Sequence, residues 1–381
     1  VSRQPLAVFT ADEHLRPNTW VKHPTLQGDA YYSWRQIIAY CLMRRLPLWL
    51  LGDLFDSPRP DSISVSVFLQ SMAEMYAAGL PVMYVEGNHE RTDFPWAGLS
   101  GTTKLATNFE VGNGILVHGM SFTNRSELPL RLSQIPPETQ ILLAHQSWYD
   151  LQHVGSADGR FDMIPHGLTM LTGDYHVCGT WTGVAANGEP VIAHSPGSTS
   201  LQALNEPAAK YFGVLYDDKT VEWVPLVTRQ LITQTIRSDD EMERLLSQLV
   251  NRSLIEPRPQ YSDIEKPILR VIYDEKLPEA YDRIVAGAGD SYHLFLDPRR
   301  LNDVSAEVVV VSPSAGVPDL QAAILELTTD QVVSDSALRL TSASLLKDEL
   351  AAMFKEFEHD STVAGSGDRS TSSGAAAVQN D

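Results

Sequence analysis

Seven short apolar, β-rich runs punctuate the first two hundred residues, and five of them lead directly into polar clusters rich in carboxylate, imidazole and amide groups. The runs are LAVF (6–9), LWLL (48–51), VMYV (82–85), ILVHG (115–119), ILLA (141–144), LTML (168–171) and VIAH (191–194). Helical patterns fall between them. Trp34, Ile37, Ile38, Cys41 and Leu42 share one face, and a second helix should run from an Asp61 or Ser62 cap to Gly79. This alternation predicts an α/β domain. Such sheets build their sites at the carboxyl ends of strands, so the five clusters should meet on one side.

At 381 residues the chain has room for two or three compact units. The segment YFGVLYDDKTVEWVPLV (211–227) reads as a hairpin that closes the first, residues 1–229. Residues 230–313 then form a small α+β unit: a helix capped by Ser238 or Asp239, the strand PILRVIY, a helix near 278–286, and strands near 292–296 and 307–311. Within 314–359, Leu346, Leu350, Met353, Phe354 and Phe357 make an apolar stripe on a charged helix, which suits either packing on its own domain or docking on another protein. Residues 360–381 have the Gly, Ser, Thr and Ala bias of a disordered tail.

Two cysteines are too few for a disulfide framework, which fits a reducing, cytoplasmic setting. The sequence carries neither a secretion signal nor an apolar run long enough for a membrane span. With a net charge of −19, concentrated beyond residue 230, general attraction to a polyanion cannot be assumed. Any contact with nucleic acid must be local.

The clusters are Asp12-Glu13-His14, Gly52-Asp53-Leu54-Phe55-Asp56, Gly87-Asn88-His89-Glu90, Ala144-His145-Gln146 and Gly173-Asp174-Tyr175-His176. Carboxylate, imidazole and amide oxygen together suit divalent Mn, Fe or Zn. Five such clusters imply a dinuclear site, and two adjacent cations can activate water and clamp a phosphate oxygen. Asp53 can bridge by giving one oxygen to each metal, and His89 can donate a proton near neutral pH. Glycine precedes three of the clusters, where the backbone should turn sharply.

The pattern resembles the calcineurin-like metallophosphoesterase superfamily: D-x-H, G-D-x-x-D, G-N-H-[DE], H and G-H-x-H. The resemblance implies a metallophosphoesterase β-sandwich flanked by helices. It implies that Asp12, His14 and His176 hold one metal, that Asp53 bridges, and that Asn88 and His145 hold the second. His89 matches the family's catalytic, non-ligand histidine. Asp174 departs from the pattern by standing where the family has a histidine. As a second-metal ligand it would harden that position toward Mn or Mg.

Within the superfamily the chain is similar to the SbcD-type nuclease subunit of bacteria and phages, through GDLFD, PGS at 196–198 and YFGVLYDDKTVEWVPLVTR. This implies a Mn-dependent DNA exonuclease, with single-strand endonuclease activity in prospect. It also implies a capping domain after residue 229, a homodimer, and a C-terminal helix carrying Leu346 to Phe357 that docks on an SMC-like coiled-coil ATPase. Arg16, Arg59 and Arg91 follow ligand clusters and should ring the site as phosphate contacts, unless they pair with neighbouring carboxylates. Two alternatives stay open: a metallophosphodiesterase for a small substrate such as a cyclic nucleotide, and a metal-impaired DNA-binding scaffold.

Overall fold

The computed structural model describes residues 3–20, 23–91, 96–153, 156–256, 264–277 and 279–301. The proposed strand at 307–311, the docking stripe Leu346, Leu350, Met353, Phe354 and Phe357, and the tail lie outside these residues. The first half runs β1 (Pro5–Thr10), β2 (Asn18–Trp20), β3 (His23–Gln27), α1 (Asp29–Arg44), β4 (Leu48–Leu51), α2 (Ser62–Ala77), β5 (Val82–Val85), β6 (Thr103–Lys104), β7 (Phe109–Val111) and β8 (Ile115–Met120). Then come α3 (Leu128–Ser133), β9 (Ile141–His145), α4 (Tyr149–Gln152), β10 (Leu168–Gly173), β11 (Gly179–Val184), β12 (Pro190–Ser195), β13 (Lys210–Tyr216) and β14 (Val221–Leu226). The last described elements are β15 (Leu231–Ile236), α5 (Asp239–Val250), β16 (Ile268–Asp274), α6 (Ala280–Ala288) and β17 (His293–Arg299).

Two six-stranded sheets, ordered β14-β13-β1-β4-β5-β6 and β11-β12-β10-β9-β8-β7, share one apolar core. Phe9, Trp49, Leu51 and Val85 of the first meet Val117, Ile141, Leu143 and Leu171 of the second, all buried. Strands between two covered faces are apolar on both, which is why LWLL and ILLA read as continuous runs. Helices cover the outer face of the first sheet. Trp34, Ile37, Ile38 and Cys41 of α1 and Phe68, Met72 and Met75 of α2 are buried there, each large side chain contributing roughly 1.5–3 kcal/mol. Asp61 caps α2 by accepting from the N–H groups of Ile63 and Ser64, and Trp34 Nε1 donates to Ser71 Oγ at 2.9 Å to join the helices.

The parallel pairings β1–β4, β4–β5, β8–β9 and β9–β10 align carboxyl ends, where all five polar clusters emerge. The 211–227 hairpin is β13 and β14, and β13 pairs antiparallel with β1. Beyond it, β15, β16 and β17 form an all-parallel sheet in that order, with α5 and α6 as crossovers. Ser238 is the residue that caps α5. No helix among the described residues is long and apolar enough to cross a membrane.

Candidate metal centre

The loops after β1 and β4 are laced together. The N–H groups of Asp12, His14 and Leu15 donate to the carbonyls of Gly52, Asp53 and Leu54 at 3.1, 2.9 and 2.8 Å. This parallel ladder continues past the strands and holds Asp12, His14 and Asp53 side by side. The backbone is left-handed at Asp12 (φ 53°), His14 (φ 44°), Asp53 (φ 53°) and Asp174 (φ 81°). A side-chain-bearing residue in that region carries strain of order 1–3 kcal/mol, and four such residues converge here.

Two of the glycines have separate reasons. Gly52 has φ 90°, and a Cβ there would also lie 2.4 Å from His145 Nδ1. At Gly87 the constraint is space alone, since a Cβ would fall 2.0 Å from Asp53 Oδ1. The expected sharp turn is therefore found at Gly52, while Gly87 makes room for a neighbouring carboxylate.

Three sets of side chains bring potential ligand atoms within 4.8 Å of one another: Asp12, His14 and His176; His14, Asp53 and His89; and Asp12, Asp53 and His145. Asp53 Oδ2 is the common point, 3.5 Å from His145 Nε2, 3.8 Å from His14 Nε2 and 3.9 Å from His89 Nε2. Its Oδ1 instead accepts the His89 N–H at 2.9 Å. A single oxygen of Asp53 thus faces both halves of the site, while the other is taken by the backbone. His176 Nε2 lies 3.4 Å from His14 Nε2 and 3.7 Å from Asp12 Oδ1. Asn88 Oδ1 lies 3.0 Å from His145 Nε2, and Asp174 Oδ1 lies 4.0 Å from the same nitrogen.

All four imidazoles turn Nδ1 outward and Nε2 inward. His145 Nδ1 donates to Leu51 O at 2.7 Å, and His89 Nδ1 donates to Asp56 O at 3.0 Å. A carbonyl only accepts, so both Nδ1 atoms carry hydrogen. His176 Nδ1 donates to Glu206 Oε1 at 2.7 Å, and His14 Nδ1 lies 3.3 Å from Asp56 Oδ1. At His145 and His176 this outer hydrogen bond is the one that presents an Nε2 lone pair to a metal.

The electrostatics show the same shortage of positive charge. Burial pushes the His145 imidazole down, but the Asp53, Asp12 and Asp174 carboxylates outweigh it and raise the group to about 10. For Asp53, burial pushes up, yet His145, His14 and the His89 N–H hold it well below the usual carboxylate range. Asp174 is raised, by burial first and then by Asp12 and Asp53. Glu90 is buried behind the site, accepts from the N–H groups of Phe55 and Gly87, and is pushed up to about 7 by burial and by Asp53. A pocket that holds protons this firmly, with Nε2 of His145 facing the Asn88 oxygen, fits hard or borderline divalent cations.

Residues 7–179 match the family model described as calcineurin-like phosphoesterase. Over those residues the chain is similar to the calcineurin-like phosphoesterase domain. It is 24% identical over 209 residues to the DNA double-strand break repair protein Mre11 of Haloferax volcanii, a match covering 49% of this chain and 46% of that protein. The chain thus spans less than half the length of that relative. The crystal structure of TT1561 of Thermus thermophilus superposes with a TM-score of 0.37 at 12% identity, over 58% of this chain and 98% of that one, a likeness too slight to carry an argument.

The arginines part company around this domain's site. Arg16 Nη1 pairs with Asp56 Oδ1 at 2.7 Å and its Nη2 donates to Gln202 Oε1 at 2.6 Å, so Arg16 is built into the wall. Arg91 Nη1 donates to Asn124 Oδ1 at 2.8 Å and its guanidinium lies over the Phe122 ring. Arg59 is exposed, with its backbone N–H on Ser57 Oγ.

Other histidines stay apart from the centre: His118 Nδ1 lies 2.7 Å from Asn108 Oδ1, and His194 Nδ1 lies 2.9 Å from Thr180 Oγ1. Tyr175 packs against Trp181 beneath its loop. Sequence reasoning missed Asp56, which touches His14, His89 and Arg16, and Glu206, which holds His176. The second aspartate of GDLFD was a signal for Asp56; nothing local marks Glu206.

Proposed function

We propose that the chain is a Mn-dependent DNA nuclease subunit that hydrolyses phosphodiesters at a two-metal site. The observation that carries this reading is the ring of four imidazoles around Asp53 and Asp12, all with Nε2 inward and three of them, His145, His89 and His176, held by a hydrogen bond at Nδ1. Asp12, His14 and His176 would hold one ion, and Asn88, His145 and Asp174 the other, with Asp53 shared. Bound there, the pair of cations would lower the pKa of a water and neutralise phosphate oxygens.

The protein's own groups divide the remaining work by exposure. Side chains of His145 and His14 are 0% and 4% exposed, whereas His89 is 42% exposed. His89 is therefore the most exposed of the four imidazoles, ahead of His176 at 29%, and the one best placed to meet a substrate. Its Nδ1–H is held by Asp56 O, which fixes the ring, so that in the imidazolium form Nε2–H can deliver its proton to the leaving oxygen and the ring returns to the neutral Nδ1–H tautomer. Asn88 and Asp174 keep the second position rich in oxygen, which favours Mn or Mg over softer zinc. Exposed Arg59 and Arg91 supply local phosphate contacts on an acidic chain.

The DNA substrate rests on the similarity to Mre11 and on the SbcD-type motifs. Homodimerisation, and an SMC-like ATPase docked on the helix bearing Leu346 to Phe357, belong to the same reading. A partner would lend the affinity that a chain of net charge −19 lacks.

The test is Mn-dependent hydrolysis of end-labelled double-stranded DNA beside bis-p-nitrophenyl phosphate, with wild type and His89→Ala. DNA degradation that requires both Mn and His89 is expected, with the variant slowed about 10²- to 10⁴-fold. Cleavage of the small ester with DNA untouched, even with the ATPase present, would assign the site to a small phosphodiester instead.

A further inference from the structure

We propose that Glu206 is the positioning residue of the metal centre: its carboxylate holds His176 through Nδ1–H and turns Nε2 toward Asp12 and His14. The proposal rests on the metal-binding reading above. His176 needs such a partner more than the other buried ligands do. It stands on the loop after β10, three residues past the strand's end at Gly173, and its side chain is 29% exposed. An imidazole in that position is free to rotate and to exchange tautomers unless something outside the centre holds it.

Glu206 is itself held from three directions. Its Oε1 takes His176 Nδ1–H at 2.7 Å, while Oε2 accepts from Lys210 Nζ at 2.7 Å, Gln202 N–H at 3.0 Å and Ser198 Oγ at 3.1 Å. The carboxylate therefore has one orientation in which every donor is served. Lys210 adds the decisive constraint. Its side chain is 2% exposed, and its ammonium reaches Glu206 and Ser198 Oγ, the latter at 2.7 Å. A buried ammonium demands a charged partner, so it keeps Glu206 ionised and in place.

The network is also tied to the other ligands. Lys210 opens β13, whose antiparallel partner β1 leads straight into Asp12. The loop carrying Ser198 approaches His176 so closely that a Cβ on Gly197 would lie 2.8 Å from the His176 carbonyl oxygen. A carboxylate on the far nitrogen of a ligating histidine fixes its tautomer and strengthens it as a donor, and loss of such a partner weakens metal affinity about 10- to 100-fold.

The experiment is a Mn titration followed by the EPR signal of free Mn, on wild type, Glu206→Gln and Lys210→Met. Glu206→Gln is expected to weaken one class of Mn site about 10- to 100-fold and spare the other. Lys210→Met removes the ammonium that holds Glu206 but not the carboxylate itself, so it is expected to weaken the same class of Mn site by a smaller factor while its Tm falls. Two unchanged Mn affinities in Glu206→Gln, with only a lower Tm, would overturn the proposal. If Glu206→Gln fails to fold, wild-type protein labelled with ¹⁵N-histidine decides the matter. His176, assigned through His176→Gln, should show a slowly exchanging Nδ1 proton with or without zinc, and its absence would overturn the contact. Failure of wild type to bind Mn would instead remove the metal reading, and that outcome is read separately.

Discussion

The Asp29–Arg229 pair and the Asp53 cluster are both buried gatherings of charge, and they are built in opposite ways. Arg229 is 1% exposed and grips Asp29 with Nε and Nη2, each at 2.8 Å, while its remaining donors reach the carbonyls of Gln27 and Lys266. Thr19 Oγ1 completes Asp29 at 2.7 Å. Charge is balanced, and the arginine joins the two-sheet core to the segment entering β16. Around Asp53, the carboxylates of Asp12 and Asp174 converge with imidazoles and the Asn88 amide oxygen, on a backbone held left-handed at four positions. A self-neutralised cluster serves architecture. One that stays short of positive charge, and is strained to do so, is poised for a cation.

Exchanging single charges in each cluster should separate the two roles most sharply. Asp53→Asn should lower the hydrolysis rate by about 10³-fold or more, through loss of bound metal rather than of folded protein. Parallel metal analysis and urea denaturation check this, and a large stability loss without metal loss would erase the contrast. Arg229→Met leaves Asp29 buried and unpaired, and should destabilise by about 3–5 kcal/mol in urea while folded molecules keep their Mn sites. Wild-type stability in that variant would make the pair dispensable.

Protons and metal compete for the Asp53 cluster, so pH probes it without mutation. His145 is raised above an unfolded value of 6.5 to about 10, so its stabilisation of the metal-free protein is complete below 6.5 and lost as pH climbs toward 10. Tm of metal-free protein should fall across that window, and Mn affinity should rise roughly tenfold per pH unit between about pH 7 and 9 as a proton is displaced. A flat Mn affinity would show that His145 is not displaced by the ion. The smallest effect belongs to the rim. Arg59→Ala with Arg91→Ala should raise KM for DNA several-fold and flatten its salt dependence, with bis-p-nitrophenyl phosphate turnover unchanged. Equal losses on both substrates would place these arginines in the chemistry instead.

Much of this was legible in residues 1–229, because buried strands write themselves as apolar runs and polar residues at strand ends have few structural excuses. LAVF, LWLL, VMYV and ILLA all became strands, and the side chains after them meet around Asp53. What escaped is short, edge-bound or long-range. β11, Gly179–Val184, is an edge strand with alternate residues exposed and two glycines, so its apolar signal is faint. β15 was overlooked between a hairpin and a helix, although it starts the three-stranded parallel sheet. Glu206 lies thirty residues beyond His176 with no motif spacing to announce it, because its role is set by the return of the chain through β13.

The central claim is that one carboxylate oxygen organises two metal positions. Anomalous diffraction from Mn-soaked crystals tests it most directly. Two Mn peaks about 3.5–4 Å apart are predicted, sharing Asp53 Oδ2, one beside Asp12, His14 and His176 and the other beside Asn88, His145 and Asp174. A single peak, or ions that leave Asp53 Oδ2 uncoordinated, would contradict the account.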